Sequence, residues 1–221
     1  MTHAQNLIIN LDELLLDLPS LKQKIWQDLA DIHNFEITET FLLASFDANS
    51  DKVEKLQREY PKHAPYFDTV QKRYEGMIDA KLNTLKPSAL RLIELQRLAQ
   101  EYAISLCSNL SRRQLEGLSC LKELGFTPIY VFSTKEVMLS KPDPAIYLKI
   151  ARLLKELPNK LIVVDATLNG IQASYLANTK GIFVAEHFEP SSTVKEYSTA
   201  YTEHFNQVKT ILDEWLKDRN E

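Results

Sequence analysis

The sequence predicts an α/β protein: a Rossmann-like parallel sheet with helices on both faces, plus an inserted all-helical domain. From residue 83 onward, short apolar runs alternate with helical patterns, as in a parallel sheet whose strands are joined by helices. Between residues 18 and 82 the pattern is helical throughout, with no strand signal. We therefore predict a core domain of residues 1–17 and 83–221 and a separate helical domain of residues 18–82.

Five apolar runs are predicted to be strands because each is short, rich in β-branched or other apolar residues, and bounded by polar or turn residues. Near-continuous apolar content of this kind is typical of strands that are buried on both faces. The predicted strands are residues 7–11, 103–107, 128–132, 161–164 and 181–184.

Helices are predicted where apolar residues recur every three or four positions, as Leu21, Ile25 and Leu29 do. Pro19 or Ser20 lies near the start of the first helix, and Gly125 follows the end of another. A break is predicted at residues 47–50. The predicted helices are residues 18–33, 38–46, 53–60, 65–82, 87–102, 111–124, 144–157, 170–178 and 204–217.

Composition excludes several classes of function. The formal net charge of −4 gives no electrostatic footprint for nucleic acid or an anionic membrane surface. No apolar run approaches the roughly 18 residues that span a bilayer, and the first residues lack the basic segment of a signal peptide. Cys107 and Cys120 are expected to be free buried thiols, which favours a cytoplasmic location. The first 75 residues contain no glycine, so a Gly-rich phosphate loop is absent there.

Polar residues follow three of the predicted strands. Because the carboxyl ends of parallel strands meet at one edge of a sheet, these residues are candidates for a binding or catalytic site. Lys141, which precedes the helix at Pro144, joins them. The strand-end candidates are Asn10 and Asp12, Ser108 and Asn109, and Asp165 with Thr167.

The order of these residues resembles the haloacid dehalogenase superfamily, in its β-phosphoglucomutase-like branch of small-molecule phosphatases and mutases. That family opens with Asp-x-Asp-Gly, then inserts a helical cap, which matches residues 18–82. It continues with a strand ending in Ser or Thr, a Lys in Lys-Pro-Asp-Pro, and Glu-Asp-Ser-x-x-Gly before a helix. The corresponding segments here are Asn10-Leu11-Asp12-Glu13, Ser108, Lys141-Pro142-Asp143-Pro144 and Asp165-Ala166-Thr167-Leu168-Asn169-Gly170.

The resemblance implies a phosphoryl-transfer site that uses magnesium. Its first carboxylate attacks phosphorus, and its second acts as general acid and base. By position these are Asn10 and Asp12, and the phosphate-binding groups are Ser108, Asn109 and Lys141. The metal position falls to Asp165, together with Asn10 and the backbone carbonyl of Asp12.

Three residues depart from the family pattern. Asn10 replaces the nucleophilic carboxylate, Ala166 replaces a metal-binding Asp, and Glu13 replaces the motif glycine. A neutral amide has almost no nucleophilicity toward phosphorus, and loss of a nucleophile costs on the order of 10⁴–10⁶ in rate. We therefore expect magnesium binding to be weak or absent and phosphatase activity to be lost or much reduced.

Two alternatives remain open at the level of sequence. One is an active magnesium-dependent phosphomonoesterase or phosphomutase, and the other is a non-catalytic module that binds a metabolite or a protein. The expected ligand is a small phosphorylated metabolite or an inorganic anion, without nucleic acid or membrane. Structural roles also suit the same residues, because Asp12 and Ser108 are typical of turns and Thr167 is typical of a helix N-cap.

Overall fold

The computed structural model describes residues 5–46, 50–186 and 189–217. Of the break predicted at residues 47–50, residues 47–49 lie outside these ranges, and residue 50 is the first residue of a helix. Among the described residues, no helix combines the length and the apolar character needed to cross a bilayer.

The predicted fold class is confirmed by a sheet of six parallel strands in the order β3-β2-β1-β4-β5-β6. The first strand lies at its centre, where Ile8 pairs with Ser105 on one side and with Val163 on the other. The ends of β1, β2 and β4 are therefore neighbours at one edge. The strands are β1 (Asn6–Asn10), β2 (Ala103–Ser108), β3 (Val131–Ser133), β4 (Ile162–Asp165), β5 (Lys180–Val184) and β6 (Ala200–Thr202).

Four helices, α1 to α4, follow β1, and the described residues from 18 to 81 contain no strand. The boundaries of a separate helical domain at residues 18 and 82 stay a prediction. The helices are α1 (Leu18–His33), α2 (Glu39–Phe46), α3 (Ser50–Glu59), α4 (Phe67–Lys81), α5 (Ala89–Ala99), α6 (Arg112–Gly117), α7 (Ala145–Leu154), α8 (Leu168–Leu176), α9 (Ser192–Tyr197) and α10 (Val208–Lys217).

Apolar clusters cover both faces of the sheet. Successive side chains of a strand point to opposite faces, so a buried strand such as β1 contributes to both clusters. Leu7 and Ile9 pack into one apolar cluster, whereas Ile8 and Val163 pack into the cluster on the opposite face. The helices that follow β1 have a further cluster, in which the rings of Trp26 and Phe41 meet edge to face at 4.7 Å.

Apart from shifts of a few residues at element ends, the structure departs from the sequence predictions in three regions. The helix predicted over 111–124 ends as α6 at Gly117, because Leu118 takes an extended conformation and a short 3₁₀ turn follows at Ser119–Lys122. The strand predicted over 128–132 is assigned as β3 at Val131–Ser133, although the N–H of Ile129 already donates to the carbonyl of Ile104 and the N–H of Leu106 to the carbonyl of Tyr130. The short elements α9 and β6 were not predicted.

Candidate active site

The carboxyl ends of β1, β2 and β4 bring five polar side chains together. Asn10, Ser108 and Asp165 are the last residues of these three strands, Asp12 lies in the turn after β1, and Lys141 lies in the loop before α7. All five are buried, with Lys141 the most exposed at 8%. Of the other two candidates, Asn109 is exposed and Thr167 is half-buried.

The amide of Asn10 has one orientation that its neighbours impose. Its Oδ1 accepts hydrogen bonds from the backbone N–H groups of Asp12 at 2.9 Å and Glu13 at 3.1 Å. Its Nδ2 donates to Oδ1 of Asp165 at 2.9 Å. Rotating the amide by half a turn would set N–H groups against N–H groups and the oxygen against a carboxylate. The side chain therefore presents hydrogens to Asp165.

Asp165 is surrounded by donors. Its Oδ2 accepts from Nζ of Lys141 at 2.7 Å and from the Tyr147 hydroxyl at 3.2 Å. Its Oδ1 accepts from the backbone N–H and the hydroxyl of Thr167, at 2.9 and 2.8 Å, in addition to Asn10. These contacts hold both carboxylate oxygens.

The Lys141–Asp165 pair is ionised despite its burial. Burial alone would raise the pKa of Asp165, but the charge of Lys141 and the hydrogen bonds from Lys141 and Thr167 hold that pKa below its usual value. Burial would lower the pKa of Lys141, and Asp165 instead holds it well above the usual range. Each charge thus compensates the other.

Asp12 is held in the same way by the end of β2. The Ser108 hydroxyl donates to Oδ1 of Asp12, and the backbone N–H of Asn109 donates to Oδ2 at 2.7 Å. Burial raises the pKa of Asp12, and these two hydrogen bonds oppose the rise without cancelling it. The amide of Asn109 is fixed in turn, because Thr134 donates to its Oδ1 at 2.9 Å.

The start of α8 is built closely around Asp165. Thr167 is the N-cap, as its residue type predicts, and its hydroxyl accepts from the N–H of Gly170 at 3.0 Å. A Cβ atom at Gly170 would lie 2.1 Å from Oδ2 of Asp165, so any side chain there would collide with the carboxylate. The motif glycine is required by this contact.

Comparison with known proteins places this arrangement in a family. A model of the haloacid dehalogenase-like hydrolases matches residues 11–175, about three quarters of the chain. The chain belongs to this family. The resemblance found in the motifs is therefore confirmed, and solved structures of the family share its fold.

Two curated relatives come from Arabidopsis thaliana. A CBBY-like protein is 32% identical over 128 residues, which cover 53% of this chain and 39% of that protein. A bifunctional riboflavin kinase/FMN phosphatase is 27% identical over 150 residues, or 66% of this chain and 37% of that protein. The chain thus matches well under half the length of either relative.

Three solved structures are each 18% identical to this chain, a level at which they establish a shared fold. A haloacid dehalogenase-like protein of unknown function from Agrobacterium tumefaciens has a TM-score of 0.75 and covers 96% of this chain and 99% of its own. A hydrolase of the same family from Deinococcus radiodurans, crystallised with phosphate and sodium, has a TM-score of 0.71 and covers 95% of this chain and 95% of its own. β-Phosphoglucomutase from Clostridium difficile has a TM-score of 0.66 and covers 98% of this chain and 99% of its own.

Magnesium is generally used by haloacid dehalogenase-like hydrolases, but the donors of this member suit it poorly. Mg²⁺ requires oxygen ligands in near-octahedral geometry. Asn10 turns N–H groups toward Asp165, and Asp165 is already neutralised by Lys141. Ala166 offers no side-chain ligand and packs against the apolar core. Across residues 5–46, 50–186 and 189–217, no group of three or more His, Cys, Asp or Glu side chains is placed to hold a metal ion.

A cavity of about 710 Å³ opens beside these residues. Asp12, Asn109 and Lys141 form part of its wall, and Trp26 of α1 and Tyr74 of α4 form another part. Burial, with the charges of Asp12 and Glu13, raises the pKa of Tyr74 well above its usual value, so its hydroxyl stays protonated. The volume is typical of sites for small molecules.

Sequence reasoning missed two residues that support the site. Tyr147 occurs within the apolar pattern of α7, and nothing in its spacing indicates the hydrogen bond to Asp165. Thr134 follows the end of β3 and carries the same strand-end signal as the other candidates. It was missed because β3 was predicted to end at residue 132 rather than 133.

Proposed function

We propose that this haloacid dehalogenase-like protein has lost phosphoryl transfer and acts as a non-catalytic protein that binds a small metabolite. The observation that supports the proposal most strongly is the orientation of the Asn10 amide. Its oxygen accepts hydrogen bonds from two backbone N–H groups, and its nitrogen donates a hydrogen bond to Asp165. A nucleophile needs a free lone pair directed at phosphorus, and this side chain directs hydrogens into the site.

The expected loss of rate is large. Removing a nucleophile costs on the order of 10⁴–10⁶ in turnover, which corresponds to roughly 6–8 kcal/mol of barrier. The second departure, Ala166, removes a carboxylate from the same mechanism. Asp12 is retained, but both of its oxygens accept hydrogen bonds from Ser108 and Asn109 instead of facing a leaving group.

The proposed ligand is a small phosphorylated metabolite or an inorganic anion. The cavity of about 710 Å³ is large enough for such a molecule, and Lys141 and Asn109 line it. The relatives point to the same class, since one is an FMN phosphatase, one is a phosphoglucomutase and one was crystallised with phosphate. We propose a cytoplasmic location, because Cys107 and Cys120 are both free and buried.

The proposal is tested by restoring both departures in the double variant Asn10→Asp, Ala166→Asp. We expect the two carboxylates to increase magnesium affinity, measured by isothermal titration calorimetry, and to restore measurable hydrolysis of p-nitrophenyl phosphate. The matched control is Asn109→Asp, which adds a carboxylate at the same sheet edge but at a position assigned to phosphate binding instead of the metal. If the double variant binds magnesium no better than the parent or the control, Asn10 and Ala166 do not occupy the metal position and the proposal fails.

A further inference from the structure

We propose that the carboxylate of Asp12 is an internal occupant of the anion site, so that a phosphate group binds this protein only by displacing it. The inference rests on the proposed function and deepens it by naming how access to the same cavity is controlled. In this arrangement the free protein holds its own anion at the end of the cavity where the ligand's anionic group would enter.

The geometry around Asp12 carries the proposal. One carboxylate oxygen accepts the Ser108 hydroxyl, and the other accepts the backbone N–H of Asn109 at 2.7 Å. These are the two donors that the end of β2 presents at the sheet edge, and a phosphate oxygen would need the same protons. The Ser108 hydroxyl has one proton to give, so it cannot serve Asp12 and a ligand together.

One of the two donors, the Ser108 hydroxyl, is also held by a further hydrogen bond. Oγ of Ser108 accepts the N–H of Leu110 at 3.0 Å through a lone pair, and its single proton is donated to Asp12. Thr134 fixes the side chain of Asn109 through its Oδ1. Ser108 and Asp12 are 2% and 3% exposed, so water does not compete freely for these hydrogen bonds.

The charges at this end of the cavity also oppose phosphate binding while Asp12 is in place. Lys141 is the cation among the buried site residues, and its Nζ is paired with Asp165 at 2.7 Å. Asp12 therefore leaves a formal charge of −1 over Asp12, Lys141 and Asp165 taken together. An incoming phosphate would be repelled while Asp12 stays in place. Once Asp12 moves away, Lys141 and Asp165 are neutral together and this repulsion is removed.

The test measures the dissociation constant of inorganic phosphate by isothermal titration calorimetry. We expect weak binding to the parent protein and at least about tenfold tighter binding to Asp12→Ala, in which both donors are released. Asp12→Asn is a second variant in case the alanine variant fails to fold. Its amide has a single acceptor oxygen, so it releases one donor and should give a smaller gain.

Two controls separate displacement from a general change in charge. Glu13→Ala removes the neighbouring carboxylate of the same cavity wall without releasing either donor, so it should tighten phosphate binding by no more than about threefold, well short of the gain in Asp12→Ala. Adding Ser108→Ala to Asp12→Ala should cancel most of the gain, because the freed hydroxyl is then missing. Equal gains in the Asp12 and Glu13 variants, or no gain in either Asp12 variant, would overturn the inference.

The outcome is separable from the proposed function. Hydrolysis of a phosphate ester by the parent protein would refute the loss of phosphoryl transfer, whatever the affinities. Unchanged phosphate affinity in folded Asp12 variants, without hydrolysis by the parent, would overturn only the internal-anion inference.

Discussion

At the scale of single residues, the exchange of a carboxylate for an amide at position 10 inverts the local chemistry. Aspartate offers two acceptor oxygens, whereas Asn10 offers one acceptor and one donor group. The acceptor is used by two backbone N–H groups, so the donor is what remains to face Asp165. A direct hydrogen bond thus joins two positions that the family pattern assigns to the metal site.

The site residues could be identified from the sequence, but their hydrogen-bond partners could not. The motif spacing identified Asn10, Asp12, Ser108, Lys141 and Asp165, and the structure brings all five together. Their pairing depends on side-chain directions that spacing does not encode. For this reason the sequence assigned Ser108 and Lys141 to a phosphate, whereas the structure shows them hydrogen-bonded to Asp12 and Asp165.

A prediction at this scale concerns the buried pair of Lys141 and Asp165. Lys141→Met should lower the free energy of unfolding by about 3–5 kcal/mol, because it leaves a buried carboxylate without its cation. Urea unfolding measures the change. The matched control is Lys149→Met, which removes the partly exposed pair with Glu136 on the same stretch of chain and should cost at most about 1 kcal/mol.

The double variant Lys141→Met, Asp165→Asn completes this test. Neutralising the carboxylate should recover part of the lost stability, since the stranded charge is the source of the cost. Equal losses in the Lys141 and Lys149 variants would show that the buried pair contributes no more than a surface ion pair.

At the scale of secondary-structure elements, the parts with strong local signals were predictable. The capping box of Ser111 with Gln114 starts α6, and Thr167 caps α8. Elements that depend on tertiary contacts were not predictable. Strand β6 has three residues and exists because it pairs with β5, with Thr202 beside Val184.

A pair of glycine substitutions tests how closely α8 is built on the site. Gly170→Ala should destabilise the protein by about 1–3 kcal/mol, because its Cβ would meet a carboxylate that four residues hold in place. Gly76→Ala is the matched control within α4, where a Cβ meets nothing within 4 Å. It should stabilise the protein by about 0.5–1 kcal/mol, through the higher helix propensity of alanine.

The free energy of unfolding in urea distinguishes these cases. A neutral Gly170→Ala substitution would mean that Asp165 can move aside, and the site would then be less rigid than its hydrogen bonds indicate. A destabilising Gly76→Ala substitution would mean that the result at Gly170 reports a general sensitivity of these helices to alanine.

At the scale of the whole molecule, the fold of a haloacid dehalogenase-like hydrolase is present with an altered site. The six-stranded sheet buries Leu7, Ile8 and Ile9 at its centre, and none of the departures Asn10, Glu13 or Ala166 changes that apolar pattern. Packing of the sheet and chemistry at its edge depend on different residues, so one can persist without the other. The cavity depends on helices that approach the sheet edge, and only the structure reveals its size and lining.

The most direct measurement is the rate of p-nitrophenyl phosphate hydrolysis with magnesium, compared between the parent protein and Asn10→Ala. The intact mass of the parent should first confirm that position 10 is asparagine. We predict the same background rate for both proteins, because Asn10 takes no part in phosphoryl transfer. Hydrolysis by the parent at the rates usual for phosphatases, abolished by Asn10→Ala, would contradict the account.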